Sequence, residues 1–295
     1  DNRILTLEIL INKINIPISN LLKILSNLVS LNYIYFKNNE IKLTTKGKEE
    51  AQLVINKHRL LEKYLFEKTS TAVKDIHKVA DKKEHSFNEE QIEKIKNELS
   101  NPCIDPHGDI LDENLSTLAK LHPLGSCLVN EIYLIKHIED EPYEVYEYLV
   151  NLDLAPFDKI KILKIEKESI TMINDKGKII NLDYLYANNV FVQKLEPDDK
   201  LKSYFDYLLS SKVDTLDKMP LGSKGIITGI SFYLRGIERQ RLMELGFIKG
   251  ATVIPVYYNS LGDDPRAYKI KNSIISLRKE QASKIYVCLL YTSDA

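Results

Sequence analysis

The sequence predicts a multidomain α+β protein with a winged helix-turn-helix at its start, metal-binding helices after it, and two small β-barrels. Three observations carry this prediction. Residues 1–50 read as helix, turn, helix and hairpin; residues 51–102 hold helical patterns whose His, Asp and Glu recur on one face; and from Pro123 onward one layout of short β-rich runs with a short helix occurs twice.

The apolar spacing of Leu5 to Ile14 predicts a helix, which Asn15, Ile16 and Pro17 break, and Ser19 or Asn20 can cap a second helix running to about Ser30. Tyr33 to Phe36 and Ile41 to Thr44 are strand-like and joined by Lys37-Asn38-Asn39-Glu40, whose Asn pair tolerates positive φ. In a winged helix the second helix enters a DNA major groove and the wing reaches the backbone. Ser19, Asn20, Lys23 and Asn27 on that helix and Lys37 in the wing are the candidate DNA contacts, while Leu21, Leu25 and Leu28 face the core. The helix is unusually apolar for a DNA reader, so a winged helix that only contacts protein is the competing reading.

A long helix from about Lys48 to Lys68 carries His58 and Glu62 at i and i+4. The next, from Val73 to His85, carries His77, Asp81, Glu84 and His85 within roughly 100° of arc on one face. Nitrogen and oxygen ligands at this spacing point to a metal site, against the alternative of a solvated, charge-laced helix face. Neither set has the HExxH pattern of zinc hydrolases, and no general base is placed beside an open metal position. Asn88 and Gln91 form a capping-box pattern, and Ile92, Ile95 and Leu99 make a stripe that packs internally or against a second subunit.

Residues 103–122, rich in Pro, Gly and Asp, read as a linker, with His107 and His122 as solvated loop histidines. Then PLGSCLVNEI (from Pro123) returns as PLGSKGIITGI (from Pro220), and INLDYLYANNVFV (from Ile180) returns as ISLRKEQASKIYV (from Ile275). Residues 123–195 and 220–287 are thus two copies of one barrel, joined by residues 196–219 as a second linker that tethers the terminal copy separately. Residues 288–295, CLLYTSDA, resemble the translation of a sequencing adapter and are set aside.

Composition bounds the function. A formal net charge of -1 gives no global basic field, although residues 1–70 hold eleven Lys and Arg against seven Asp and Glu. Three cysteines in a chain of 295 residues read as free thiols in a reducing cytosol, and no apolar run is long enough for membrane insertion.

The run LTTKGKEEAQLVINKHRLLEKYL, then HKVADKKEH and the DPHGDIL turn at Asp105, resembles the diphtheria toxin repressor family of metal-dependent transcriptional repressors. The barrel from Pro123 resembles that family's Src-homology-3-like (SH3-like) domain, and the barrel from Pro220 resembles the ferrous-transport A protein, FeoA. The resemblance implies a primary metal site at Asp81, Glu84 and His85, and an ancillary site at His58, Glu62 and His77. It also implies ancillary ligands from the barrel, for which Glu141 and Glu144 lie near the matching segment. The family's first helix, which supplies one more primary ligand, has no counterpart here, so the sequence reads as a fragment. Asp81 stands where iron-type members often carry Cys, and a hard oxygen there suits Fe(II) or Mn(II).

The combined expectation is a cytoplasmic, homodimeric, non-enzymatic repressor that binds a double-stranded DNA operator when loaded with Fe(II) or Mn(II) and controls metal uptake. The alternative is a cytosolic FeoA-type interaction protein that regulates a ferrous-iron transporter without binding DNA. DNA binding with a steep salt dependence separates the two.

Overall fold

The computed structural model describes residues 5–14, 16–111, 121–258 and 264–290. The first elements are β1 (Leu5–Thr6), α1 (Leu7–Lys13), α2 (Ile18–Ser30), β2 (Ile34–Lys37) and β3 (Glu40–Leu43), with the strands in the order β1-β3-β2. The helix expected from Leu5 starts at Leu7. Thr6 caps it by accepting a hydrogen bond from the Ile9 amide at 3.3 Å, which leaves Leu5 and Thr6 extended to pair with Ile41 and Glu40. Likewise α2 begins directly after Pro17, so Ser19 and Asn20 lie in its first turn rather than capping it. Leu21 and Leu25 bury against Ile34 and Ile41 with Leu28 beside them. Asn38 and Asn39 make the hairpin turn at φ 52° and 67°.

Thr44 starts α3 (Thr45–Lys68) by accepting from the Gly47 amide at 2.9 Å while its hydroxyl donates to the Asn32 carbonyl at 2.7 Å. The expected ligand helix is shorter than its periodicity suggested: a 3-10 turn at Val73–Asp75, α4 (Ile76–Lys83), and another 3-10 turn at Glu84–Ser86. Tightening to three residues per turn leaves His85 off the common face, while Glu84 still faces His58. The Asn88–Gln91 capping box is present and opens α5 (Glu89–Glu98). Leu61, Leu65, Phe66, Ile76, Ala80 and Ile95 form the core of these three helices.

The first part of the expected linker is folded. Ile104 bridges Ile110, and Asp105 and His107 between them are buried at 2% and 3% exposure; residues 112–120 lie outside the described part. Asp105 Oδ1 accepts from the amides of His107 and Asp109, each at 2.9 Å, which makes a tight turn. Gly108 sits there at φ +100°, and a Cβ on it would come within 1.9 Å of the Lys136 carbonyl oxygen.

The repeat is real and more regular in space than in sequence. The first copy has β4 (His122–Pro123), β5 (Ile132–Ile138), α6 (Tyr143–Asn151), β6 (Lys159–Ile165), β7 (Ser169–Asn174), β8 (Ile179–Asp183) and β9 (Val190–Lys194), in the antiparallel order β4-β9-β5-β6-β7-β8. After α7 (Asp199–Ser210) the second copy has β10 (Val213–Thr215), β11 (Lys224–Ile230), α8 (Gly236–Glu244), β12 (Thr252–Tyr258), β13 (Arg266–Ile270), β14 (Ser273–Leu277), α9 (Lys279–Ala282) and β15 (Ile285–Leu290). Its order is β10-β15-β11-β12-β13-β14, the same topology. Even the irregularities repeat. The β5–β9 ladder shifts register between Ile135 and His137, and β11–β15 between Ile227 and Gly229; β6–β7 shifts between Ile162 and Lys164, and β12–β13 between Pro255 and Tyr257. Among the described residues the edge strands of neither sheet pair with each other, so neither closes into a hydrogen-bonded barrel.

The PLGS matches are out of register with this topology. β5 begins at Ile132, nine residues after Pro123, whereas β11 begins at Lys224, four residues after Pro220. It is Leu124 and Leu216, each in a 3-10 turn before the strand and each fully buried, that correspond.

The second expected linker is also structured. In α7, Phe205 and Leu208 bury against Ile132 and Ile173, and Val213–Thr215 already belongs to the second sheet. Of the segment set aside as a tail, Cys288 to Leu290 pair with β11, and residues 291–295 lie outside the described part. Nor is the terminal copy loosely tethered. Asp153 of the first copy accepts from Ser231 Oγ and, at 2.7 Å, from Tyr286 OH; Tyr233 OH donates to the Leu154 carbonyl at 2.5 Å; and Thr228 Oγ1 donates to the Lys176 carbonyl at 2.5 Å. No helix among the described residues is long and apolar enough to cross a membrane.

Candidate metal centre

α3 packs along α4, and this brings His58 and Glu62 against His77. His58 Nε2 lies 3.0 Å from Glu62 Oε1 and 3.1 Å from His77 Nδ1, and His77 Nδ1 lies 3.0 Å from the same Glu62 oxygen. The other nitrogen of His58 faces Glu84 Oε2 at 2.7 Å and Asp81 Oδ1 at 3.5 Å. His58 therefore links the two groups of residues that the family resemblance divides into separate sites.

The first copy completes the cluster, though not with the expected residues. Asp140, in the loop between β5 and α6, places Oδ2 3.0 Å from His77 Nδ1. Its neighbour Glu141 is mostly exposed and reaches His77 Nε2 only at 3.7 Å, and Glu144 is exposed in the first turn of α6 and does not join. His107, read from sequence as a solvated loop residue, is instead buried against Tyr146, with Nε2 3.6 Å from Glu62 Oε1 and 3.9 Å from Asp140 Oδ2. A sequence signal for it existed. The Asp-Pro-His-Gly turn is flanked by Ile104 and by Ile110-Leu111, so it had apolar shoulders with which to pack. His85, expected as a ligand, has a side chain 76% exposed and lies 3.2 Å from Glu84, in the 3-10 turn.

Electrostatics show how the cluster is held together. Burial pushes the Glu62 carboxyl up, but the His107 imidazole beside it and the hydrogen bonds with His58 and His77 outweigh this and hold it well below the ordinary carboxylate range. The hydrogen bond that His77 donates to Asp140, followed by that to Glu62, pushes it up to about 11. Burial works against the charged form of His107, yet Glu62 beside it pushes the imidazole up to about 9. Desolvation pushes Asp105 up to about 6. Protonated imidazoles thus neutralise a carboxylate set that would otherwise repel itself.

These residues fit a divalent cation. Glu62 and Asp140 each place an oxygen 3.0 Å from His77 Nδ1, and the donor atoms of these three, like those of His58, His77 and Asp81, lie within 4.8 Å of one another. Donors held at about 2.1–2.3 Å around one ion are separated by roughly 3 Å. Neither ring nitrogen of buried His107 has a hydrogen-bond partner, nor does Asp105 Oδ2, and such orphaned buried atoms call for an ion or water. All donors are imidazole or carboxylate, with no thiolate among them.

The candidate DNA contacts sit apart from this cluster. Ser19, Asn20, Lys23 and Asn27 lie exposed on α2 and Lys37 is exposed at the end of β2, while Ile18, Leu22, Ile24 and Val29 are exposed on α2 as well.

Comparison with known proteins matches both halves of this architecture. Residues 44–111 match the family described as "Iron dependent repressor, metal binding and dimerisation domain", and residues 215–288 match the FeoA domain. The iron-dependent repressor IdeR of Mycobacterium leprae is 33% identical over 174 residues, covering 54% of this chain and 75% of that protein. A fusion of Fe(2+) transport protein A with the Fe(2+) transporter FeoB, from Porphyromonas gingivalis, is 36% identical over 75 residues; the match covers 25% of this chain and 8% of that protein. Among solved structures, a manganese-dependent transcriptional repressor in complex with manganese superposes with a TM-score of 0.58 at 21% identity, over 65% of this chain and 91% of its own. IdeR of T. acidophilum does so with a TM-score of 0.52 at 22% identity, over 65% and 90%; both share the fold. The chain belongs to the diphtheria toxin repressor family of metal-dependent transcriptional repressors, and its terminal copy is a FeoA domain.

Proposed function

We propose that this protein is a repressor of metal uptake that binds a palindromic double-stranded DNA operator as a homodimer when loaded with Fe(II) or Mn(II). One observation carries the reading: α3, α4, the 103–111 loop and the β5–α6 loop each contribute a donor to a single buried cluster. A bound divalent cation supplies the positive charge that the carboxylates otherwise draw from protonated imidazoles. His58, Glu62, His77, Asp140 and His107 would hold it, with Asp81 and Glu84 on the far side of His58 as a second set. The hard donor set suits Fe(II) or Mn(II) over softer ions.

In this reading residues 1–50 form the winged helix, with Ser19, Asn20, Lys23, Asn27 and Lys37 toward DNA, and residues 51–102 hold the metal and the partner subunit. The two six-stranded sheets are SH3-like folds left open along one seam. Thr44, which caps α3, also donates to the Asn32 carbonyl in the turn after α2, so the helix bearing His58 and Glu62 runs directly into the proposed DNA-reading unit. The test is a band-shift titration with promoter DNA at fixed salt. Mn(II) or Fe(II) should produce binding and chelator should abolish it, and affinity unchanged by chelator would refute the proposal. The alternative, a FeoA-type module regulating a ferrous-iron transporter without DNA, draws support from the match to the transporter fusion. It requires that no promoter fragment bind at any metal concentration.

A further inference from the structure

The two copies present corresponding loops to the packed pair of helices α3 and α4. In the first copy the loop between β5 and α6 carries Asp140 to the metal cluster on α3 and α4. The corresponding loop of the terminal copy, between β11 and α8, runs through residues 231–235 and reaches the other end of α3. There Arg235 Nη1 donates to the Leu65 carbonyl at 3.0 Å and the Phe66 carbonyl at 2.6 Å, and Nη2 donates to the Thr71 carbonyl. The last carbonyls of a helix have no partners within it, and a guanidinium there satisfies them while complementing the helix dipole. Phe232 stacks on Phe66 with ring centroids 5.0 Å apart, and the Arg235 guanidinium lies 5.1 Å from the same ring. Gly236 follows at φ +59°, where a Cβ would meet the Glu67 carbonyl oxygen at 2.9 Å. Glu62 lies one helical turn before Phe66, on the same buried face.

We infer that Phe232 and Arg235 are positioning residues for the metal centre: the FeoA domain clamps the end of α3 and so fixes the setting of Glu62 and His58. The loop is itself anchored, through Ser231 to Asp153 and through Tyr233 to the Leu154 carbonyl, to the copy that supplies Asp140. Two joined copies therefore hold the helices at the metal cluster, through His77 of α4, and at the end of α3. A clamp that favours the metal-binding setting must, by linkage, be tightened by the metal. The inference rests on the metal-centre reading above and extends it to residues that touch no ligand.

The test uses the full chain with Mn(II) as the probe. Calorimetric titration of the parent, F232A, R235A and R235K should show Mn(II) affinity reduced about tenfold in both alanine variants and less in R235K, which keeps the charge without the fork. Titrations are run at a temperature where circular dichroism shows every variant folded, since a merely structural role would lower the melting temperature and leave the affinity alone. Hydrogen exchange on the parent supplies a second readout, with saturating Mn(II) slowing the amides of residues 231–240. Affinities within twofold of the parent in both alanine variants would overturn the clamp. Unchanged exchange at 231–240 would do the same, and decides the matter if a variant does not fold. A parent that binds no Mn(II) sinks the metal centre and the clamp together, whereas a parent that binds beside unaffected variants sinks only the clamp.

Discussion

His107 and His85 exchange the roles their sequence contexts suggest. His85 stands at helical spacing in HKVADKKEH and ends exposed, while His107 stands in a turn and ends buried beside Glu62 and Asp140. We expect His107→Ala to weaken Mn(II) binding tenfold or more, about 1.4 kcal/mol, and His85→Ala to leave it within about twofold; equal losses in calorimetry would contradict the geometry. The raised values of His77 and His107 set the direction of a pH effect. Both imidazoles carry protons in the metal-free chain at neutral pH, and a cation must displace them, so affinity should weaken as pH falls, by up to roughly tenfold per unit for each proton released. Titration in buffers of different ionisation enthalpy checks this by counting protons; a count of zero would contradict it. Periodicity made His58, Glu62 and His77 legible because two regular helices carry them. It could not reveal Asp140 or His107, since loops have no period and only the packed fold brings them to α3.

At the scale of elements, the turn at Asp105–Asp109 decides whether His107 reaches the cluster. Gly108→Ala would drive a Cβ into the Lys136 carbonyl at a φ that L-residues avoid, so the turn must lift away. We expect a cost of about 1–3 kcal/mol together with a loss of Mn(II) affinity comparable to that of His107→Ala. Thermal melts with and without Mn(II) would read both, and a melting shift with no change in the metal-induced gain would separate packing from ligation. Element boundaries were legible wherever a side chain makes the boundary, as in the Asn88–Gln91 capping box and the Asn38–Asn39 turn. They were not legible at α4, where periodic apolar and charged positions continue past Lys83 but the backbone tightens into a 3-10 turn. Local pattern says which face a helix would bury, and tertiary packing says how long it stays a helix.

At the scale of the whole molecule, the duplicated layout was legible from Pro123 onward, but its register was not, because the identical PLGS segments outweighed the buried Leu124 and Leu216 that correspond in space. The docking of one copy on the other left no trace in periodicity, since it rests on a few polar residues such as Asp153. Asp153→Ala would leave Ser231 Oγ and Tyr286 OH without their shared acceptor, and about 2–3 kcal/mol of docking should be lost at roughly 1 kcal/mol or more per buried group. We expect the terminal copy then to open separately, seen as faster proteolysis between residues 196 and 219; an unchanged cleavage rate would count against a docked assembly. The repeated shift of register at Ile135–His137 and Ile227–Gly229 gives this docking a grammar. Each bulge is a socket, and each takes a plug of the same make from the chain just before it. Asp105 Oδ1 accepts from the amides of His107 and Asp109, and the turn it ties sits on Lys136 through Gly108. Asn174 Oδ1 accepts from the amides of Lys176 and Lys178, and the turn it ties sits on Thr228 and Gly229 through Lys176. The β7–β8 hairpin of the first copy thus carries a plug for the socket of the second, and the chain reads as a mechanical train in which the loop that bears His107 couples to the first copy, and the first copy to the second, by the same joint.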